Sequence, residues 1–148
     1  MSRMHPPIGG RRGQSLVEFA LVVPILLLML VGMIEFGRAW NVSQTVTFAA
    51  RQGARKAAVL NVQGLPDADA TDSVIATVDT VLASNNIACN GCVETPIAGL
   101  NGGANTPVEV RVGVPYQFMI LGPVMALNSE SFPNGTITLR SAAIMRNE

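Results

Sequence analysis

Between Leu16 and Ile34 the chain reads LVEFALVVPILLLMLVGMI, 19 residues with a single charge, Glu18. A helix needs about 20 mainly apolar residues, rising about 1.5 Å each, to cross roughly 30 Å of hydrocarbon. The run therefore predicts one membrane-spanning helix. Arg3, His5, Arg11 and Arg12 precede it. Basic groups on the first flank favour the cytoplasm, so the N-terminus is expected inside. Arg38 and the Arg51, Arg55, Lys56 group pull the other way. A secretory signal peptide has an apolar core of only about 7–15 residues, followed by small residues at a cleavage site. Here the run is longer and Glu35-Phe36-Gly37-Arg38 follows it. A retained anchor is the reading.

Charge is distributed to match. The 148 residues hold 10 basic and 10 acidic side chains, and only 14% are charged, against 49% hydrophobic. An ordinary soluble domain carries about 25% charge. This composition excludes intrinsic disorder, and the zero net charge argues against nucleic acid as a partner. Residues 1–60 carry seven basic against two acidic groups, and residues 61–148 three against eight. Such sidedness suits a chain with one end at a membrane.

Two residues inside the run are unusual. Glu18 lies near its N-terminal edge, where a carboxylate costs less than the about 2.5–3.5 kcal/mol of a bilayer centre. It either marks the membrane boundary or awaits a positive partner. Pro24 removes one helical hydrogen bond and is expected to kink the helix, which membrane helices tolerate.

Helical spacing continues beyond the run through Phe36, Ala39, Trp40, Ser43, Val46, Ala50, Gly53, Ala54 and Ala57. Arg38, Asn41, Thr45, Gln52, Arg55 and Lys56 fall largely on the opposite face. Gly64-Leu65-Pro66 supplies a stop. One helix from Gln14 to Leu60 would be about 70 Å long, half in lipid and half outside. Trp40 falls where an interfacial aromatic belongs. The Ala/Gly stripe from Ala50 to Ala58 permits close packing, read first as packing on the chain's own distal domain.

In that domain residues 67–86 carry helical spacing at Val74, Ile75, Val78, Val81 and Leu82, with Asp67, Asp69 and Asp72 suited to the helix N-terminus. Asn85-Asn86 is a stop. Asp67, Asp69, Asp72 and Asp79 lack the calcium-loop pattern, so they read as a solvated face. Cys89-Asn90-Gly91-Cys92 lacks a partner pair for zinc and the surrounding βαβ pattern of a redox site. It reads as a disulfide between Cys89 and Cys92, pinning a turn in an oxidising compartment. Val108, Val110, Val112 and Val114 alternate with Glu109 and Arg111 as a strand. Residues 118–127, FMILGPVMAL, read as a buried loop, a short helix or an exposed apolar contact patch. Asn134-Gly135 turns the chain into a last strand, Thr136–Met145, where Ile137 and Leu139 alternate with polar residues.

The expected fold is α+β: a long N-terminal transmembrane helix continuing into a stalk, then a small pilin-like domain with one helix and an antiparallel sheet. The expected segments are a basic leader 1–13, a membrane and stalk helix 14–60 and an exported domain 61–148. No catalytic constellation is visible: there is no phosphate-binding glycine loop and no G-x-S-x-G. A non-enzymatic protein without cofactor or bound metal is expected.

The informative unit is Arg11-Arg12-Gly13-Gln14-Ser15-Leu16-Val17-Glu18-Phe19. A basic leader ends in glycine, the apolar helix starts at once, and Glu18 is the fifth residue counted from Gln14. This resembles the prepilin cleavage motif, cut after the glycine on the cytoplasmic side by a membrane aspartyl peptidase. Glycine reaches the extended conformations a protease cleft requires. The resemblance implies a cleavage site at Gly13 and Gln14, with Glu18 neutralising the new α-amine of a neighbouring subunit. Opposite charges in a dry setting attract far more strongly than in water.

With E-F-A-L-x-x-P at residues 18–24 and A-R-x-G-A-R at residues 50–55, residues 12–58 resemble the TadE-like family of pilus assembly proteins. The family consists of pseudopilins or minor pilins of the tight-adherence (Tad) pilus, which serves adhesion and secretion. The implied partners are a prepilin peptidase, other pilins and pseudopilins, the Tad assembly platform and the lipid bilayer. The implied location is the bacterial inner membrane, single-pass, with the C-terminal domain periplasmic or extracellular, or in the pilus itself. The alternative is a membrane-anchored envelope binding module that never enters a filament.

Overall fold

The computed structural model describes residues 11–62, 66–100, 102–103, 105–120, 122–123 and 135–146. The element order is α1 (Arg11–Val62), α2 (Asp67–Ser84), β1 (Pro107–Gln117) and β2 (Thr136–Arg146). The α+β reading stands: a long apolar helix, a second helix and a two-stranded antiparallel sheet.

The 52 residues of α1 correspond to about 78 Å of helix. It runs unbroken through Pro24. From Leu16 to Ile34 its large apolar side chains stay open, with Leu16 69%, Ile25 71% and Met33 64% exposed. Its most apolar 18-residue window has a mean hydropathy of 2.7, and none of it is buried by the rest of the chain. So much uncovered apolar surface, at spanning length, is that of a membrane anchor.

From Glu35 onward the helix changes character. Glu35, Ala39, Val46, Ala49, Ala50, Ala54, Ala57 and Leu60 are buried, and all lie along one helical face. The expectation that the Ala/Gly stripe packs on the chain's own domain holds. A methyl group added at Gly53 would stand 2.8 Å from Val78 Cγ2 and 3.2 Å from Val110 Cγ1, so α1 meets both α2 and β1 there. The face differs from the expected one in detail. Phe36 and Trp40 are 67% and 59% exposed, while Ala39 is buried as expected and Glu35 joins the buried line.

The second helix buries Ala70, Val74, Val78 and Leu82, an i, i+4 line against the small residues of α1. Asp67 and Asp69 occupy its first turn, where carboxylates oppose the positive end of the helix dipole. The Asn85-Asn86 stop operates as read. The Asn86 N–H donates to Ala83 O at 3.0 Å, and Asn86 adopts φ 57°, a left-handed position asparagine tolerates. The Gly64-Leu65 part of the first stop and Asn134 of the later turn lie outside the described residues.

In the sheet, Val108, Val110, Val112 and Val114 are buried and stand opposite Met145, Ala143, Ser141 and Leu139. The alternation read in both strands is present. Residues 92–98 flank the other side of β1. Glu94 N–H donates to Arg111 O at 2.9 Å, Gly113 N–H to Cys92 O at 2.8 Å, and Glu109 N–H to Ala98 O at 2.9 Å. β1 is thus hydrogen-bonded on both sides, which explains why its valines are buried while the inward residues of β2 are half-buried.

Candidate functional site

The segment from Gly13 to Glu18, where the sequence resembles a prepilin motif, lies at the N-terminal end of α1. Gly13 and Gln14 are exposed and already helical, and nothing stands within 4 Å of where a Gly13 side chain would begin. The leader residues 1–10, with Arg3 and His5, lie outside the described residues. The Gln14 side chain donates to Glu18 Oε1 at 3.3 Å, one turn along. Glu18 is exposed on the surface of the apolar half of the helix. Its carboxylate therefore sits at the edge of the span, free of protein cover and hydrogen-bonded by a neutral amide. Both lone-pair faces of a carboxylate can accept further donors.

A second carboxylate was not singled out from the sequence. Glu35 is 2% exposed and accepts a hydrogen bond from the Met119 N–H at 3.0 Å. Arg38 Nη1 lies 3.5 Å from Met119 Sδ. Burial pushes the Tyr116 hydroxyl above its usual range; Arg38 opposes that shift and Glu35 adds to it. These four residues tie the end of β1 to the helix at the first residue beyond the apolar run. The signal for Glu35 was in the spacing: it stands four residues before Ala39, on the line that continues through Val46, Ala50 and Ala57.

Of the segment 118–127, the described residues favour the exposed-patch reading. Met119 is 71% and Ile120 57% exposed, Gly122 and Pro123 are helical with Gly122 buried, and Leu121 and residues 124–127 lie outside the described residues. Cys89 and Cys92 have their Cα atoms 5.9 Å apart, within the span a disulfide requires. Gly91 between them adopts φ 73°, the left-handed turn conformation glycine accepts without strain. The turn is seated on β1 through the Cys92 carbonyl.

On the outer face of the sheet Arg111 Nε donates to Glu109 Oε1 at 2.8 Å and Nη2 to Oε2 at 3.2 Å. This hydrogen bonding holds the Glu109 carboxyl below its usual range and the Arg111 guanidinium above its own. Among the described residues no group of three or more His, Cys, Asp or Glu side chains is gathered as a metal would need. Asp67, Asp69 and Asp72 are exposed on α2 as the solvated-face reading expects, but Asp79 is half-buried and its Oδ1 is buried without a hydrogen-bond partner among the described residues.

Comparison with curated proteins gives no match, and comparison with solved structures gives none. The N-terminal segment does match. Residues 13–55, covering the apolar span and the small-residue stripe up to Arg55, fit the family described as TadE-like protein.

Proposed function

We propose that this chain is a pseudopilin or minor pilin-like subunit of a Tad pilus or related secretion machine, processed by a prepilin peptidase between Gly13 and Gln14. The observation that carries the reading is the exposed Glu18 one turn beyond Gln14, on an uncovered apolar helix inside the matched segment 13–55. Cleavage removes Arg3, Arg11 and Arg12 and leaves seven basic against ten acidic groups. It also creates an α-amine on Gln14. In a filament the apolar faces of neighbouring helices exclude water, and Glu18 pairs there with the α-amine of the next subunit. That attraction is strong in low dielectric and offsets the cost of holding a carboxylate among lipid-like surfaces.

Gly13 suits the cut because the bond lies in the first turns of α1. Early helix turns lack part of their hydrogen bonding, and glycine weakens a helix by about 1 kcal/mol relative to alanine. Local unwinding then presents an extended segment to the peptidase. The leader sits in the cytoplasm of the inner membrane and the α2/β domain on the far side. In that oxidising space Cys89 and Cys92 form a disulfide that closes the turn against β1. The role is structural, without a catalytic step of its own.

N-terminal sequencing and intact mass of the purified protein test the processing. A mature chain beginning at Gln14 is expected, with the leader retained in Gly13→Ala. An intact leader in wild-type cells overturns the cleavage reading. Glu18→Ala should still be cleaved but fail to assemble, and normal pili in that variant would sink the charge pair. Recovery only in the inner membrane fraction, never in sheared pili, assigns the chain instead to the envelope binding module.

A further inference from the structure

We propose that the hook at the end of β1, carried by Met119 and Ile120, is a second membrane contact that inserts into the bilayer interface beside the spanning helix. The inference rests on the reading that residues 16–34 cross the membrane.

Its depth follows from geometry. Gly53 of α1 packs against Val110 of β1. From there the helix descends to residue 35 over about 27 Å, and the strand descends to residue 119 over about 30 Å. The two arrive together, and the hydrogen bond from Met119 N–H to Glu35 Oε2 at 3.0 Å closes the meeting. Residue 35 directly follows the last residue of the apolar run. The hook is therefore pinned at the boundary between hydrocarbon and headgroups.

Its chemistry fits lipid. Met119 is 71% and Ile120 57% exposed, an apolar pair that is largely open. On the other side of α1, at the same level, Phe36 and Trp40 are equally open, and tryptophan is characteristic of the interface. Arg38, one turn beyond Ile34, holds its Nη1 3.5 Å from Met119 Sδ, which sets an exposed cation beside the hook at the level of the lipid headgroups. Apolar groups in such positions bury about 5–10 Å into the headgroup and acyl boundary. The occupant is thus the outer leaflet of the membrane that the helix already crosses. Two feet, the helix and the hook, fix the orientation of the sheet relative to that surface.

The test uses fluorescence of the full chain reconstituted at low density in phosphatidylcholine/phosphatidylglycerol vesicles, with and without brominated phosphatidylcholine. The chain has one tryptophan, so Trp40→Phe gives a silent background. Into it are placed Met119→Trp, Ile120→Trp as an independent copy, Leu27→Trp in the middle of the span and Val59→Trp far from the membrane. The hook positions should lose most of their emission to brominated lipid and resist aqueous iodide, as Leu27→Trp does, whereas Val59→Trp behaves oppositely. Hook positions that respond like Val59→Trp while Leu27→Trp is quenched overturn the hook and leave the span standing. Hook positions shielded from both quenchers reveal a protein contact and also overturn it. An unquenched Leu27→Trp removes the span and the hook together.

Discussion

The lipid-facing half of α1, up to Ile34, and its domain-bound half, from Glu35, belong to one unbroken helix yet follow opposite rules. In the first half large side chains point outward round most of the helix and, among the described residues, none is buried. In the second half most buried positions are small, Ala39, Ala49, Ala50, Gly53, Ala54 and Ala57, with Glu35, Val46 and Leu60 the larger ones. Bulk serves where the neighbour is fluid and conforms to any shape. Smallness serves where the neighbours are fixed and backbones approach closely. Apolar character alone does not separate the two halves; side-chain size does.

The sharpest test of this contrast is a pair of equal truncations. Leu82→Ala removes a side chain that is 1% exposed in the domain core and should cost about 2–5 kcal/mol. Leu27→Ala removes one that is 56% exposed on the lipid-facing half and should leave the unfolding of the α2/β domain unchanged. Denaturant unfolding in detergent, followed by circular dichroism, reads both. Equal losses would break the comparison.

Next in size comes the junction. Glu35→Ala strips the acceptor from the Met119 N–H and should cost about 1–3 kcal/mol, while Glu35→Gln keeps an acceptor oxygen and should lose less. Hydrogen exchange at the Met119 amide locates the effect, and unchanged protection in Glu35→Ala would mean that the bond does not hold the hook.

Smaller again is a glycine pair. Gly53→Ala forces a methyl against Val78 and Val110; valine is stiff at χ1 and yields poorly. Overpacking costs about 1–3 kcal/mol, partly offset by about 1 kcal/mol of gained helix propensity. Gly32→Ala meets nothing within 4 Å and should be neutral or mildly stabilising. A stabilised Gly53→Ala domain would show that the close approach is not required.

The smallest effect belongs to Glu109 and Arg111 on the outer face of the sheet. The folded Glu109 carboxyl titrates below its usual value. Any stability it contributes is therefore present above that usual value and lost as pH falls through the lowered one. The pair is solvent-screened, so the change should be visible in an NMR titration of Glu109 and not in the unfolding midpoint. Arg111→Gln should return Glu109 to its ordinary range.

Features with a local period were legible in the sequence. The apolar run, the valine alternation of β1, the helical spacing of α2 and its Asn85-Asn86 stop each declare themselves over a few neighbouring residues. Glu35 was not legible as a buried residue, because its partner is 84 positions away and depends on where β1 ends. Phe36 and Trp40 share the helical stripe with Ala39 and Val46 by spacing yet are exposed, and for Trp40 this accords with its reading as an interfacial aromatic. Beside a membrane, apolar no longer means inside. The pairing of residues 92–98 with β1 gave no warning either, since that segment is short and lacks alternation.

The lengthwise packing from Leu60 back to Glu35 also has a mechanical meaning. A pull on the sheet does not reach the lipid-embedded half through the link after Val62. It enters sideways, along a face held by many small contacts that must slide past one another together. The stalk then behaves as a splint rather than a leash, loaded in shear, and the point where tension passes into the membrane is the turn around Glu35.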